Sequence, residues 1–216
     1  MVTNLSLTNS VFSRFIAELR DVNIQKDRLR FRRNMERIGE IFAYEISKTF
    51  DYEIEEVETP LGIAQVSVQQ DTVVLATILR AGLPMHTGML NYLDDSKNAF
   101  VSAYRKHHKD GTFEIDVQYV SCPDLEGTTL VICDPMLATG ASIDLTIQTL
   151  MEYGTPEKIH IVTAISSTDG LEFVKRKHPD ADIWLGGLDE ELTAKSYIVP
   201  GLGDAGDLSF GEKVQE

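Results

Sequence analysis

The stretch Leu130-Val-Ile-Cys-Asp134-Pro-Met-Leu-Ala-Thr139-Gly-Ala-Ser142 is the most informative part of this chain. Four apolar residues in succession are typical of a strand buried on both faces, and Ile143, Ile147 and Leu150 follow at helical spacing. The residues between them offer backbone N–H groups and two hydroxyls at the positive end of a helix dipole. The stretch predicts either an ordinary strand-loop-helix turn or an anion site with Asp134 at its edge.

The part of the chain after Thr72 alternates between strand and helix patterns. Apolar runs predict strands at Val73–Leu79, Ala99–Tyr104, Leu130–Cys133, Ile159–Ile165 and Ile183–Leu185. Helical spacing predicts helices at Pro84–Leu93, Ser142–Tyr153 and Gly170–Lys177. Short buried strands separated by helices are typical of an α/β fold. We therefore expect a mostly parallel central sheet flanked by helices, with right-handed crossovers.

The first 70 residues have a different pattern. Residues 10–50 carry apolar residues at helical spacing, and Ile63–Val68 alternates like one strand of a small hairpin. A second hairpin, or flap, is predicted over residues 106–121 around a Lys-Asp-Gly turn. We expect a single domain over residues 1–216. An N-terminal helical arm and hairpin would occupy residues 1–70 and the core residues 71–216.

Composition restricts the partners of the protein. Its formal net charge is −14, and because nucleic acids require a basic stripe we expect no nucleic-acid partner. No apolar run approaches the roughly 20 residues that span a bilayer, and no signal-peptide pattern is seen. We therefore expect a cytoplasmic protein without a membrane partner. Cys122 and Cys133 have neither disulfide-framework nor metal-ligand spacing, and Cys133 is expected in the core.

Three polar residues each follow directly on a predicted strand. They are Arg80, Arg105 and Asp134. In open α/β sheets, ligands bind beyond the carboxyl ends of the strands. We therefore expect these three side chains to project at one edge of the sheet, although either arginine also fits a salt-bridged strand end.

Four segments together resemble the uracil branch of the type I phosphoribosyltransferases. Asp134–Ser142 is similar to the family's loop for phosphoribosyl diphosphate (PRPP), Ile78-Leu-Arg80-Ala-Gly82-Leu to its diphosphate loop, and Ala103-Tyr-Arg105 to its second arginine site. Tyr197-Ile-Val-Pro-Gly-Leu-Gly-Asp-Ala-Gly-Asp207 resembles its uracil-binding segment and is the most specific of the four. The resemblance runs from about Leu19 to Gly211, nearly the whole chain.

The resemblance implies the type I phosphoribosyltransferase fold and the transfer of the phosphoribosyl group from PRPP to uracil, giving UMP and diphosphate in pyrimidine salvage. It implies catalytic roles for Arg80, Arg105, Asp134 and Asp204. It implies PRPP binding by Arg80, Arg105, Asp134, Pro135, Met136, Leu137, Ala138, Thr139, Gly140, Ala141, Ser142 and Asp204. It implies uracil binding by Ile198, Gly203, Asp204 and Ala205. Mg²⁺ is expected to be bound mainly through PRPP, so no protein residue is assigned as a metal ligand.

The N-terminal arm carries two further expectations. Its apolar stripe indicates contact between subunits, so we expect a homodimer or a higher homo-oligomer. The cationic cluster Arg28-Leu-Arg-Phe-Arg-Arg33 is either a solvated helix face or a group that reaches the active site or a neighbouring subunit. In the second case GTP is a candidate effector.

Two positions depart from the family's pattern. Ala141 stands where a second glycine is common, which requires a negative φ there, and Leu208 stands where a basic residue often follows. His107 and His108 lie in a polar turn and are not assigned to catalysis. His86 is expected at the start of a helix, facing solvent or a subunit interface.

Three alternatives remain open at this stage. The first is a phosphoribosyltransferase for another base. The second is a regulator of this fold that binds RNA, and the third is a sensor of PRPP or nucleotides without catalysis. The net charge disfavours RNA, and the presence of both arginines and Asp134 disfavours a dead site.

Overall fold

The computed structural model describes residues 1–107 and 113–213, and it describes side chains outside residues 103–117. The strands are β1 (Val2–Asn4), β2 (Tyr52–Thr59), β3 (Gly62–Gln69), β4 (Val73–Leu79), β5 (Lys97–His107), β6 (Phe113–Ser121), β7 (Thr129–Cys133), β8 (Met136–Leu137), β9 (Lys158–Thr163), β10 (Ile165–Ser167), β11 (Asp182–Leu185), β12 (Leu188–Asp189), β13 (Glu191–Leu192) and β14 (Ile198–Val199). The helices are α1 (Val11–Arg20), α2 (Arg28–Ser47), α3 (Leu83–Leu90), α4 (Ala141–Leu150), α5 (Thr168–Lys177) and α6 (Ala205–Phe210), with 3-10 turns at Leu5–Leu7 and Met151–Tyr153.

A central sheet organises the described residues, with the strand order β1-β11-β9-β7-β4-β5-β6. Every neighbouring pair is parallel except β5 with β6, which is antiparallel. The predicted α/β class with a mostly parallel central sheet is confirmed. Because β4, β5 and β7 run in the same direction, their carboxyl ends lie at one edge of the sheet.

Helices cover both faces of this sheet, and successive residues of a strand enter opposite layers. Leu75 and Val131 pack with α1, α2 and α3 in one apolar cluster. Val74 and Ile132, their immediate neighbours, pack with α4 and α5 in the other cluster. The near-continuous apolar runs of the sequence therefore reflect burial on both sides.

One strand prediction is wrong in detail, and one strand of the central sheet was not predicted. The run Ile159–Ile165 is not one strand, because the chain leaves the central sheet after Thr163 and continues as β10. The Ile165 N–H donates to Pro135 O at 3.0 Å, and β10 pairs with β8 and β12 in a separate small sheet. Strand β1 was not predicted, because three residues at a sheet edge carry little periodic signal.

The apolar stripe of the N-terminal helices is buried within the chain itself. Phe12, Leu19, Phe31, Met35 and Phe42 are each 1% exposed or less and pack with residues of the central sheet. The stripe is therefore not available to a second subunit. The sequence could not show this, because a buried apolar face looks the same whether its partner is the same chain or another.

The predicted small hairpin is present as β2 paired with β3, and it is exposed along its length. Ile54 is 74% exposed, Leu61 99% and Ile63 68%. Strands β5 and β6 form the second predicted hairpin, with an irregular register between Ser102 and Ala103. Its predicted Lys-Asp-Gly turn falls outside the described residues.

A buried carboxylate joins the two N-terminal helices. Glu18 of α1 accepts from Arg30 Nε at 2.7 Å, Arg30 Nη2 at 2.8 Å, Asn34 Nδ2 at 2.8 Å and Arg14 Nε at 3.1 Å. These bonds, led by those from Arg30, lower the pKa of Glu18 from 4.5 to about 2. The negative charge of Glu18 is therefore part of the folded state.

We expect Glu18→Gln to weaken the pH dependence of stability between pH 5 and pH 3. The pKa of Glu18 is lower in the folded state, so its contribution is present above about 4.5 and is lost as the pH falls toward about 2. Urea unfolding at pH 7, 5, 4 and 3 measures the difference in unfolding free energy between wild type and variant. That difference should shrink with falling pH.

Glu172→Gln is the matched control for this experiment. Glu172 is 59% exposed and pairs with Lys175 one helical turn away, so its charge should contribute little to stability. A wild-type advantage over Glu18→Gln that stays constant from pH 7 to pH 3 would contradict the role given to the charge.

Candidate active site

The loop between β7 and α4 is held by backbone hydrogen bonds on both sides. The Asp134 N–H donates to Val162 O at 3.1 Å, and Pro135 O accepts from Ile165. Within the loop, β8 pairs with β10 in parallel. The chain then turns at Gly140, whose φ of +81° is left-handed, and enters α4 at Ala141. The displaced segment after β9 is therefore what supports the loop.

The loop encloses a small depression at the N-terminus of α4. Its walls come from Asp134, Met136, Leu137, Ala138, Thr139, Gly140, Ser142 and Ile143. The Thr139 hydroxyl accepts from Ala141 N–H at 3.4 Å, and the Ser167 hydroxyl donates to Ala138 O at 2.5 Å. Backbone N–H groups at a helix N-terminus favour a bound anion. The depression and the helix N-terminus beside it are the features that an anion site at this loop would require.

Ala141 fits the requirement placed on it by the sequence. It is the first residue of α4, and Ser196 is the only non-glycine residue with positive φ in the described part of the chain. Ala141 therefore has the negative φ of a helical residue, which accommodates its Cβ. The departure from glycine leaves the loop conformation intact.

The second loop follows β4 and carries Arg80. Gly82 in this loop packs so closely that a Cβ there would overlap the Thr77 hydroxyl and lie 2.8 Å from Cys133 O. Because Cys133 is the last residue of β7, the loop that carries Arg80 begins directly beside the loop Asp134–Ser142. The Leu79–Arg80 and Val199–Pro200 peptide bonds are cis.

Arg80 contacts the C-terminal segment. Its Nη2 donates to Asp207 Oδ1 at 2.8 Å and to Gly211 O at 2.9 Å. The partner Asp207 was not singled out from the sequence, although it closes the quoted segment Tyr197–Asp207. Arg80 is expected to bind an anion, but in this structure it is paired with the Asp207 carboxylate. The linear sequence does not show this pairing, because the two residues are 127 positions apart.

Asp204 lies at the start of α6, close to the same arginine. Its Oδ1 accepts from Asp207 N–H at 3.0 Å, which makes it the N-cap of the helix, and its Oδ2 lies 3.8 Å from Lys213 Nζ. Gly206 lies in the first turn of α6, and a Cβ added to it would be 3.8 Å from Arg80 Nε. The structure therefore brings Arg80 and the first turn of α6 together.

The other residues implied for uracil lie along the same segment. Ile198 in β14 and Ala205 in α6 are 4% and 2% exposed, and Gly203 has a φ of +97°. Leu208, the second departure from the family's pattern, is partly buried and packs against the core. Leu208 therefore makes an apolar contact at the position where a basic residue is common in the family.

The cationic cluster of α2 divides between two of its interpretations. Arg33 is 63% exposed and pairs with Glu36, as on a solvated helix face. Arg30 binds Glu18. Arg32 Nη1, in contrast, donates to Ser209 O at 2.7 Å, so part of the cluster reaches the C-terminal end of α6.

Arg105 lies on β5 three residues beyond Ser102, which is opposite Leu79 in the parallel pairing of β4 with β5. Its backbone therefore extends past the end of β4, at the same edge as Arg80. Its side chain, like that of His107, is outside the described residues, as is the whole of His108.

The prediction for the environment of His86 is wrong. Its side chain is not on the surface but 2% exposed, packed against the Phe100 ring, and burial lowers its pKa below the usual 6.5. Cys133 is confirmed as a core residue, and burial raises the pKa of its thiol to about 12. Neither residue has an environment suited to acid-base or nucleophilic chemistry at neutral pH.

Carboxylates suitable for a hard cation are present but dispersed. In the described residues no group of three or more His, Cys, Asp or Glu side chains is arranged as a metal site. Asp134 borders the loop depression, and Asp204 is 32% exposed at the start of α6. Such a donor set fits a Mg²⁺ ion held mainly by substrate oxygens with one or two carboxylates.

Comparison with known proteins shows the family of the chain. The sequence profile of the family described as uracil phosphoribosyltransferase matches residues 7–212. A uracil phosphoribosyltransferase of Porphyromonas gingivalis is 52% identical over 214 residues, covering 99% of each chain. This chain belongs to the uracil phosphoribosyltransferase family. The resemblance stated from the sequence motifs is thereby confirmed.

Solved structures agree at the level of the fold. The AQ2163 protein of Aquifex aeolicus is 29% identical and covers 100% of both chains, with a TM-score of 0.88. A hypoxanthine phosphoribosyltransferase of Staphylococcus aureus is 15% identical, with a TM-score of 0.50 over 86% of this chain and 84% of that chain. At that identity the second likeness concerns the fold alone. This chain and that hypoxanthine phosphoribosyltransferase thus share a fold.

Proposed function

We propose that the protein transfers the 5-phosphoribosyl group of PRPP to uracil, forming UMP and releasing diphosphate. A ring nitrogen of uracil forms the bond to C1′ while the bond from C1′ to the diphosphate oxygen breaks, and the nitrogen releases its proton. The observation that carries the proposal is the contact of Arg80 with the C-terminal segment. Arg80, whose loop resembles the family's diphosphate loop, thereby contacts the end of the segment that resembles the family's uracil-binding segment.

The loop Asp134–Ser142 is proposed to hold the 5′-phosphate and the ribose of PRPP. The N-terminus of α4 and the hydroxyls of Thr139 and Ser142 provide donors for the phosphate. The carboxylate of Asp134 suits the ribose hydroxyls, because it accepts hydrogen bonds. In a protein with a net charge of −14, these short-range contacts must outweigh the overall field, which salt screens over roughly 10 Å.

Arg80 and Arg105 are proposed to stabilise the departing diphosphate. A guanidinium remains charged and binds two oxygens at once, and the diphosphate gains charge as the bond to C1′ breaks. Arg80 is bound to the Asp207 carboxylate and to Gly211 O in this structure. The diphosphate would therefore replace a carboxylate and a carbonyl, so the arginine exchanges one set of oxygens for another.

Uracil is proposed to be recognised by main-chain groups of Ile198 and of Gly203–Ala205. One edge of uracil presents alternating acceptors and donors, and glycine lets the backbone approach closely. Cytosine has an exocyclic amine where uracil has an oxygen, so a pocket donor would face another donor. Leaving both unsatisfied accounts for discrimination against cytosine.

Mg²⁺ is proposed to arrive with PRPP rather than to reside in the protein. When bound, it would neutralise part of the charge on the diphosphate. Asp134 and Asp204 are the residues of this chain that suit its coordination. The role of these two carboxylates is to orient PRPP relative to the segment that holds the base.

The proposal is tested by measuring diphosphate release from PRPP and Mg²⁺ with uracil, cytosine and hypoxanthine in parallel. We expect UMP from uracil and rates at least about 100-fold lower with the other two bases, because each leaves polar groups of the pocket unpaired. Comparable rates with cytosine or hypoxanthine would contradict the assignment of the base. Absence of turnover with every base, with PRPP still bound, would instead favour a sensor.

Asp204→Asn should separate PRPP use from base selection. Asparagine is as good an N-cap as aspartate, so the bond to Asp207 N–H and the start of α6 should survive. The lost charge should raise the KM for PRPP and the Mg²⁺ requirement, while the preference for uracil over cytosine stays unchanged. Steady-state kinetics with both bases measures these quantities. Normal PRPP use combined with lost base preference would contradict the division of roles.

We further propose that the protein forms a homodimer or a higher homo-oligomer. The support is no longer the helical stripe but the hairpin β2–β3, where Ile54, Leu61 and Ile63 are exposed. Large apolar side chains that are exposed together on one hairpin are typical of interaction surfaces. Light scattering at micromolar concentration should give at least twice the mass of one chain, and the mass of a monomer would contradict this.

Two finer parts of the proposal have narrower support. GTP is a candidate effector because the cationic cluster of α2 reaches the C-terminal segment through Arg32, which donates to Ser209 O. A cytoplasmic location agrees with the free thiols of Cys122 and Cys133, since reducing compartments keep thiols unpaired. In the described parts of the chain, no helix has the length and apolar character needed to cross a membrane.

A further inference from the structure

We infer that Arg20 and Asp189 act together as a positioning pair that holds the uracil-binding segment in its working conformation. Neither residue is among those assigned to PRPP or to uracil. The inference rests on the proposed role of Ile198 and Gly203–Ala205 in binding the base. It assigns to the end of α1 a function in base recognition.

The pair is a two-point ion pair in a nearly dry environment. Arg20 Nη1 lies 2.7 Å from Asp189 Oδ2, and Nη2 lies 2.9 Å from Asp189 Oδ1. Asp189 is 7% exposed, and the Arg20 side chain is 25% exposed. Two parallel bonds between a guanidinium and a carboxylate fix the direction as well as the distance of the contact.

The same two side chains hold both main-chain groups of Gly201. Arg20 Nη1 also donates to Gly201 O at 3.0 Å, and Asp189 Oδ2 accepts from Gly201 N–H at 2.9 Å. Gly201 therefore lies in a closed ring of bonds with the ion pair. Neither main-chain group can shift without breaking a charge-assisted bond.

Gly201 is the point in the segment where such a constraint has the largest effect. It lies between Ile198 and Gly203, and its φ of +54° reverses the chain there. A Cβ at this position would overlap Ile198 O, so the turn is folded tightly against β14. Fixing Gly201 thus fixes the spacing between the two parts of the segment that are proposed to read uracil.

This arrangement predicts an effect on uracil that exceeds the effect on PRPP. The loop Asp134–Ser142 is held by the backbone pairing of β8 with β10, and β10 also pairs with β12, which contains Asp189; none of these backbone pairings involves the Arg20 side chain. Loosening Gly201 should therefore displace the base-reading groups while leaving the phosphate loop in place. Small displacements of positioning groups cost rate or affinity even when the reacting groups themselves are unchanged.

The chain provides a matched control in Arg30 and Glu18. They also join an arginine to a buried carboxylate through two bonds, at 2.7 and 2.8 Å, and they also involve α1. The side-chain partners of Glu18 in the described residues are Arg14, Arg30 and Asn34, all in the N-terminal helices. Loss of this pair should affect stability without reaching Gly201.

The test compares full-length wild type with Arg20→Lys, Arg20→Gln and the control Arg30→Lys. Lysine keeps the charge but cannot bind Asp189 at two points and Gly201 O together, whereas glutamine keeps a donor without the charge. Thermal unfolding checks that each variant is folded. Steady-state kinetics then gives the KM for uracil at saturating PRPP, the KM for PRPP at saturating uracil, and the ratio of rates with uracil and cytosine.

We expect both Arg20 variants to raise the KM for uracil by about 10-fold or more while the KM for PRPP changes by less than about 2-fold, as for a displaced positioning group. Their preference for uracil over cytosine should fall. Arg30→Lys should lose a similar amount of thermal stability with an unchanged KM for uracil.

Three results would overturn the inference. They are folded Arg20 variants with an unchanged KM for uracil, an equal rise in both KM values, and the same rise in Arg30→Lys. Failure of the proposed function itself would be recognised separately, because wild-type protein would then make no UMP. If neither Arg20 variant folds while Arg30→Lys does, the pair is structural and the inference is overturned as well.

Discussion

The parallel pairing of β4 with β7 is the constraint on which the rest of the site depends. It aligns Thr77 with Cys133, so β4 ends only two residues beyond the end of β7 and the loops that follow the two strands start close together. Gly82 then packs against Thr77 and Cys133 O with no room for a Cβ, which keeps the Arg80 loop against the start of the loop Asp134–Ser142. Arg80 and the loop that leads to the N-terminus of α4 are thereby placed at one edge of the sheet by the backbone pairing. A ligand bound at that edge would therefore be within reach of the side chains that follow β4 and β7.

The C-terminal segment is attached to this edge by charged contacts rather than by sheet pairing. Arg80 holds Asp207 and Gly211 O, Arg32 holds Ser209 O, and Arg20 with Asp189 holds Gly201. In a protein with a net charge of −14, several of its arginines are thus directed at one short segment. Carbonyl groups at the C-terminal end of α6 attract cations, which favours this arrangement.

The N-terminal helices therefore have two functions in the structure. Their apolar faces complete the core on one side of the central sheet, with Phe12, Phe31 and Phe42 buried. Their polar residues include Arg20 and Arg32, which reach the segment proposed to bind uracil. Glu18 binds the two helices together through a charge that burial would otherwise penalise. Among the exposed apolar residues of the chain, Ile54, Leu61 and Ile63 lie on the hairpin β2–β3.

The sequence by itself determined the α/β class, the strands β4 and β7, and the loops bearing Arg80 and Asp134, because buried strands and glycine turns are written in local residue patterns. The specific segment Tyr197–Asp207 also sufficed to indicate the family. Only the tertiary structure decided that Ile159–Ile165 divides between two sheets, that His86 is buried, and that the helical stripe is covered by its own chain. It alone paired Arg80 with Asp207 and Arg20 with Asp189, residues 127 and 169 positions apart. Such contacts depend on which surfaces meet after folding, and local periodicity carries no information about them.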